Sequence, residues 1–107
     1  MNDPRRKQLK DIIEEIDELK NDISELESTM EDIKSRIESL LDEEENGFDN
    51  LPESLQESTK GETMQAAMEA LEYAVDSMDE AISDLDRIPD DSLAEVVRNL
   101  EEAIACR

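Results

Sequence analysis

The stretch from Leu9 to Leu41, LKDIIEEIDELKNDISELESTMEDIKSRIESLL, decides the fold. Its aliphatic residues recur at alternating spacings of three and four without a miss. They are Leu9, Ile12, Ile16, Leu19, Ile23, Leu26, Met30, Ile33, Ile37 and Leu40. With Leu9 at heptad position a, Leu9, Ile16, Ile23, Met30 and Ile37 fall at a, and Ile12, Leu19, Leu26, Ile33 and Leu40 fall at d. Each helical residue turns the chain by about 100°, so this spacing draws one apolar stripe along a long helix, the pattern of a coiled coil. Ile13 and Leu41 fall at e and widen the stripe at its ends. Residues Ile12, Ile16, Leu19, Ile23, Leu26, Met30, Ile33 and Ile37 are the expected self-association stripe.

Working outward, Asp3 followed by Pro4 predicts a helix start, with an acidic N-cap and proline at the first helical position. Asn46-Gly47 predicts its end, with glycine in a left-handed cap. A first helix over about 4–45 would span roughly 60 Å at 1.5 Å per residue. The linker over 46–61 holds Phe48, Leu51 and Leu55, which are expected to pack over the end of the first helix. Asn50 or Leu51 before Pro52 can open a short turn, and Lys60-Gly61 reads as a second break.

A second helix is predicted over about 62–87, where Met64, Met68, Leu71, Val75, Met78, Ile82 and Leu85 continue the 4-3 spacing. Ala67, Ala74 and Ala81 recur every seven residues beside that stripe; they either admit a close neighbour or are simply good helix formers. Pro89 reads as an interruption, and Asp90 or Asp91 as the N-cap of a third helix over about 91–106. Leu93, Val97, Leu100 and Ile104 give that helix an apolar face, offset by one residue from the preceding stripe. The fold class expected is all-α, a single helical domain over 1–107 in which the long helix folds back as an antiparallel hairpin with two shorter ones. Ile13, Leu41, Ile88 and Val96 would stay at the edges, which predicts self-association, for example as a four-helix bundle. The Ile-at-a, Leu-at-d bias leaves a parallel homodimer through the first helix as the alternative.

The 107 residues carry 32 acidic and 11 basic side chains, a net charge of −21. Arg5, Arg6, Lys7 and Lys10 against Asp3 make residues 1–10 net +3, so the remaining 97 carry −24. High charge with few aromatics also fits a disordered chain; the unbroken apolar spacing argues otherwise. Such a field repels nucleic acid and anionic membranes and attracts basic surfaces, including those that grip DNA or RNA. No apolar run approaches a signal sequence or membrane span, and one cysteine cannot form an internal disulfide, so a cytoplasmic setting is expected.

Catalytic equipment is sparse. There is no histidine, and Cys106 has only Arg107 beside it as a basic neighbour. Paired carboxylates need a pocket that tunes their pKa values apart, and a thin helical hairpin offers none. The chain is therefore read as a non-enzyme with no cofactor. Asp42, Glu44, Asn46, Gly47 and Glu53 match parts of a calcium loop, but Asp49 and Pro52 stand where that loop does not want them, so no metal is expected. Met30, Met64, Met68 and Met78 on the stripes read as core filler, and the basic N-terminal cluster as balance for acidic charge on a facing helix. Two dense acidic stretches remain as candidate partner-binding faces: Asp42, Glu43, Glu44, Glu45 and Asp49, and Asp76, Asp79, Glu80, Asp84 and Asp86, with Asp90 and Asp91 continuing the second.

Residues 48–56, FDNLPESLQ, followed by Lys60-Gly61-Glu62 and a helix rich in Ala, Glu and Asp, resemble a group of small acidic helical proteins. These are encoded by phages and prophages of Gram-positive gut bacteria. The resemblance covers about residues 40–87. It implies a phage-linked accessory protein and assigns no activity or functional residue. The function expected is inhibition of a host defence protein through an acidic, nucleic-acid-mimicking helical surface. The partner would be a protein with a basic surface, such as a nucleic-acid-binding enzyme. A structural or adaptor role through coiled-coil oligomerisation is the alternative.

Overall fold

A computed structural model describes residues 1–106. It is all-helical, as the spacing predicts, and no described helix is long and apolar enough to cross a membrane. The elements are α1 (Asp3–Asp49), α2 (Glu53–Gln56), α3 (Thr59–Arg87), a π-helical turn (Ile88–Leu93) and α4 (Ala94–Ala105). Two compact units divide the chain, one of residues 1–28 with 83–107, the other of residues 29–82.

In the first unit, α1 starts one residue earlier than expected. Asn2 is its cap: the Arg5 backbone N–H donates to Asn2 Oδ1 at 3.0 Å. Asp3 instead accepts from the Arg6 guanidinium at 3.0 Å. Arg6 also donates to the carbonyls of Ile104 at 3.1 Å and Cys106 at 2.9 Å. The basic cluster was expected to meet acidic side chains; Arg6 meets the orphan carbonyls at the C-terminus of α4, where a cation also suits the helix dipole. Replacing Arg6 with alanine should cost about 1–2 kcal/mol and fray α4, seen as faster amide exchange after Leu100.

Pro89 does not end the helix. It has no N–H to donate, and its ring would crowd the carbonyl four residues back. The backbone widens into the π turn, which carries one extra residue and leads directly into α4. That extra residue is the physical source of the one-residue offset between the two apolar stripes. Asp90 and Asp91 make no cap; they are exposed within the π turn.

In the second unit, α1 runs past Asn46-Gly47 to Asp49, and Gly47 has no positive φ. A Cβ at Gly47 would lie 3.3 Å from Met64 Cε, so the glycine seats a methionine tip rather than a cap. That tip is mobile. Gly47→Ala should therefore stabilise the fold by about 0.5–1 kcal/mol, the helix-propensity gain, as a raised melting temperature.

The turn after α1 is closed by Gln56, whose side-chain amide donates to the carbonyls of Phe48 at 3.2 Å and Leu51 at 3.0 Å. Pro52 sits at the N-cap of α2 in extended conformation. Phe48 and Leu51 are half-buried as expected, but Leu55 is exposed. Lys60-Gly61 is not a break: both lie in the first turn of α3, which Ser58 caps through its Oγ to the Gly61 N–H at 3.5 Å. Gly61 is buried, and a Cβ there would fall 2.0 Å from the Gln56 carbonyl oxygen.

An acidic cleft beside the turn

Ten acidic residues were singled out by their density along the chain. Asp42, Glu43, Asp49, Asp76, Asp79, Glu80, Asp84 and Asp86 are exposed, and Glu44 and Glu45 are half-buried. The structure does not gather them into one site. Asp79 is engaged within the second unit, holding Lys34 at 2.5 Å. The hydrogen bond to Asp79 raises the Lys34 pKa above its ordinary 10.5, with the charges of Asp79, Glu38 and Glu31 adding to it and partial burial opposing. A raised lysine pKa means that this pair stabilises the fold fully below about pH 10.5 and loses its contribution as pH climbs through the raised value.

Glu45 and Asp49 do come together with two residues that sequence density did not single out. Glu45, Asp49, Glu69 and Glu72 rim an open cleft whose apolar lining is Phe48 and Met68. Helical spacing places them. Glu45, Phe48 and Asp49 lie on adjacent turns of one side of α1, and Met68, Glu69 and Glu72 do the same on α3. None of the four carboxylates has an ion-pair partner among the described residues. Their mutual repulsion is held in place by the turn that Gln56 closes. A negative rim around an aromatic face suits a guanidinium or ammonium: the charge meets the carboxylates, and the aliphatic stem or planar group lies on Phe48.

The chemistry of the other candidates is limited. Asp42, Glu44, Asn46 and Gly47, the first part of the calcium-loop match, all lie on α1, where a helix rather than a wrapping loop carries them. No group of three or more metal-ligating side chains stands together among the described residues. Cys106 is exposed and no described polar side-chain atom is buried without a partner.

The apolar stripe of α1 divides into two unlike columns. At position a, Leu9, Ile16, Met30 and Ile37 are half-buried and Ile23 is buried at 6% exposure. At position d, Ile12, Leu19, Leu26, Ile33 and Leu40 are 42%, 45%, 54%, 40% and 55% exposed. The packed face of α1 is therefore a with e, where Arg6, Ile13, Lys20, Glu27, Lys34, Leu41 and Phe48 are all half-buried. Of the expected self-association stripe, Ile16, Ile23, Met30 and Ile37 are used inside the chain, and Ile12, Leu19, Leu26 and Ile33 face outward.

No family model, curated protein or solved structure matches this chain.

Proposed function

We propose that this chain is a non-enzymatic binding protein that takes a basic site of a partner protein, in competition with nucleic acid for that site. The observation that carries the reading is the cleft in which Glu45, Asp49, Glu69 and Glu72 surround Phe48 and Met68. It supplies what acidic density alone does not, a shaped receptor for an arginine or lysine. The charge of −24 beyond residue 10 steers basic surfaces toward it. α1 and the α3–α4 segment form an antiparallel hairpin in this reading: in the second unit Lys34 meets Asp79 and Gly47 meets Met64. In a phage setting the partner is a host defence nuclease, and blocking its nucleic-acid site inhibits it.

The test is competition. The protein is titrated into complexes of basic nucleases with labelled DNA, across salt concentrations. Displacement should weaken steeply with salt, and neutralising the rim with Glu45→Gln, Asp49→Asn, Glu69→Gln and Glu72→Gln should weaken it about tenfold or more. Displacement that ignores both salt and these substitutions would sink the reading. The exposed d column favours a second reading, an oligomerising structural or adaptor protein, in which apolar-stripe substitutions abolish function and rim substitutions do not.

A further inference from the structure

The methionines are unevenly placed. Met30, Met64, Met68 and Met78 all belong to the second unit, and Met1 alone to the first. In the first unit the half-buried stripes are built of Leu, Ile and Val, among them Leu9, Ile16, Leu93, Val97 and Leu100. In the second unit the α3 stripe carries Met64, Met68 and Met78, each half-buried, and α1 contributes Met30, also half-buried.

Two of these four stand at the acidic cleft. Met68 is part of its apolar lining. Met64, one helical turn earlier, sets its methyl carbon against Gly47, where a Cβ would lie 3.3 Å away. Glu45, Phe48 and Asp49 stand within two residues of Gly47 on α1, and Gln65 and Glu69 stand beside the two methionines on α3. Thioether side chains therefore lie between the two walls of the cleft. The rim carboxylates push those walls apart, and the turn and this apolar contact beneath the rim oppose the push. A thioether fills such a seam well, but its sulfur also takes up oxygen. Half-burial leaves both side chains within reach of a solute as small as hydrogen peroxide.

We propose that the Met64–Met68 seam is a redox-sensitive latch, opened by peroxide and closed again by methionine sulfoxide reductase. The sulfur attacks one peroxide oxygen. The O–O bond breaks, an S–O bond forms, and the proton on the transferred oxygen leaves with the departing hydroxide as water. The thioether loses two electrons and the peroxide gains them. The sulfoxide is polar and requires a hydrogen-bond donor or water. Around Gly47 it meets helix backbone whose N–H groups are already bonded within α1. Water must enter, and the walls part under the repulsion of the rim. The stripes of the first unit hold no methionine, so oxidation loosens one unit and spares the other. The inference stands on the packing of the second unit and holds whatever the cleft takes.

Amide exchange on peroxide-treated protein tests it, in a Cys106→Ser background so that the exposed thiol plays no part. Peptide mass spectrometry locates the added oxygens. With Met64 and Met68 oxidised, amides over 42–49 and 64–72 should exchange at least about tenfold faster, and those over 9–23 should change by less than about twofold. Treatment with the reductase should restore the original rates. Met64→Leu with Met68→Leu keeps the apolar volume and should hold its protection through the same treatment. If that variant fails to fold, partial oxidation of the methionine seam gives the same comparison: faster exchange should accompany oxygen on Met64 or Met68 and not oxygen on Met1 alone. Unchanged exchange after both are oxidised overturns the proposal. So does a seam that stays unoxidised when Met1 is fully converted, or equal loosening of the leucine variant.

Discussion

Gly61→Ala is expected to lower stability by on the order of 3 kcal/mol, a drop of roughly 15 °C in melting temperature. The cause is backbone against backbone. An alanine Cβ would sit 2.0 Å from the Gln56 oxygen, 2.5 Å from its carbonyl carbon and 2.7 Å from its Cα. No rotamer relieves such contacts; Gln56 must move. Moving it pulls its amide from the carbonyls of Phe48 and Leu51 and disturbs the Ser58 cap. Thermal melts of Gly61→Ala and Gly47→Ala should shift in opposite directions, although both replace a helical glycine by a better helix former. Equal shifts would mean that the Gln56 turn does not close against Gly61.

The second large effect is Ile23→Ala, which should cost about 2–4 kcal/mol. Ile23 is the one hydrophobic side chain buried to this degree among the described residues, at 6% exposure. Leu26 lies three residues on in the same expected stripe and is 54% exposed. Measured in dilute protein, where any pairing of copies is lost, Leu26→Ala should cost less than about 1 kcal/mol. Urea titrations of the two variants give the comparison, with similar slopes and well-separated midpoints expected.

The contrast between these neighbours marks how far the sequence could be read. Unbroken 3-4 spacing makes a long helix legible at once, because only a helix aligns those residues. It does not say which flank of the stripe packs. A 3-4 repeat treats a and d alike, and polar Lys20, Glu27 and Lys34 hide the e column that the partner helix chooses. The ends of elements were misread for local reasons. Gly47 and Gly61 read as breakers, whereas one seats the Met64 tip and the other admits the Gln56 backbone. Ser58, three residues before Gly61, was the missed cap signal. At Pro89 the one-residue stripe offset was visible, and a π turn rather than a break absorbs it.

The candidate site was legible only in part. Charge density pointed to Glu45 and Asp49 but also to residues up to Asp86, which lie elsewhere on the chain. Glu69 and Glu72 join the cleft because the turn sets the end of α1 beside the start of α3. Residue density records composition, whereas a receptor for a cation needs two helices and an aromatic surface between them.

The division of α1 into a column that holds the chain and a column left exposed is tested most directly by melting temperature as a function of protein concentration. Ile16→Gln, at a, should lower the melting temperature by a similar amount at every concentration. Leu19→Gln, at d, should leave dilute protein nearly unchanged and, in the oligomerising reading, remove the rise with concentration expected of the unaltered chain. Equal, concentration-independent losses from both substitutions would contradict the division.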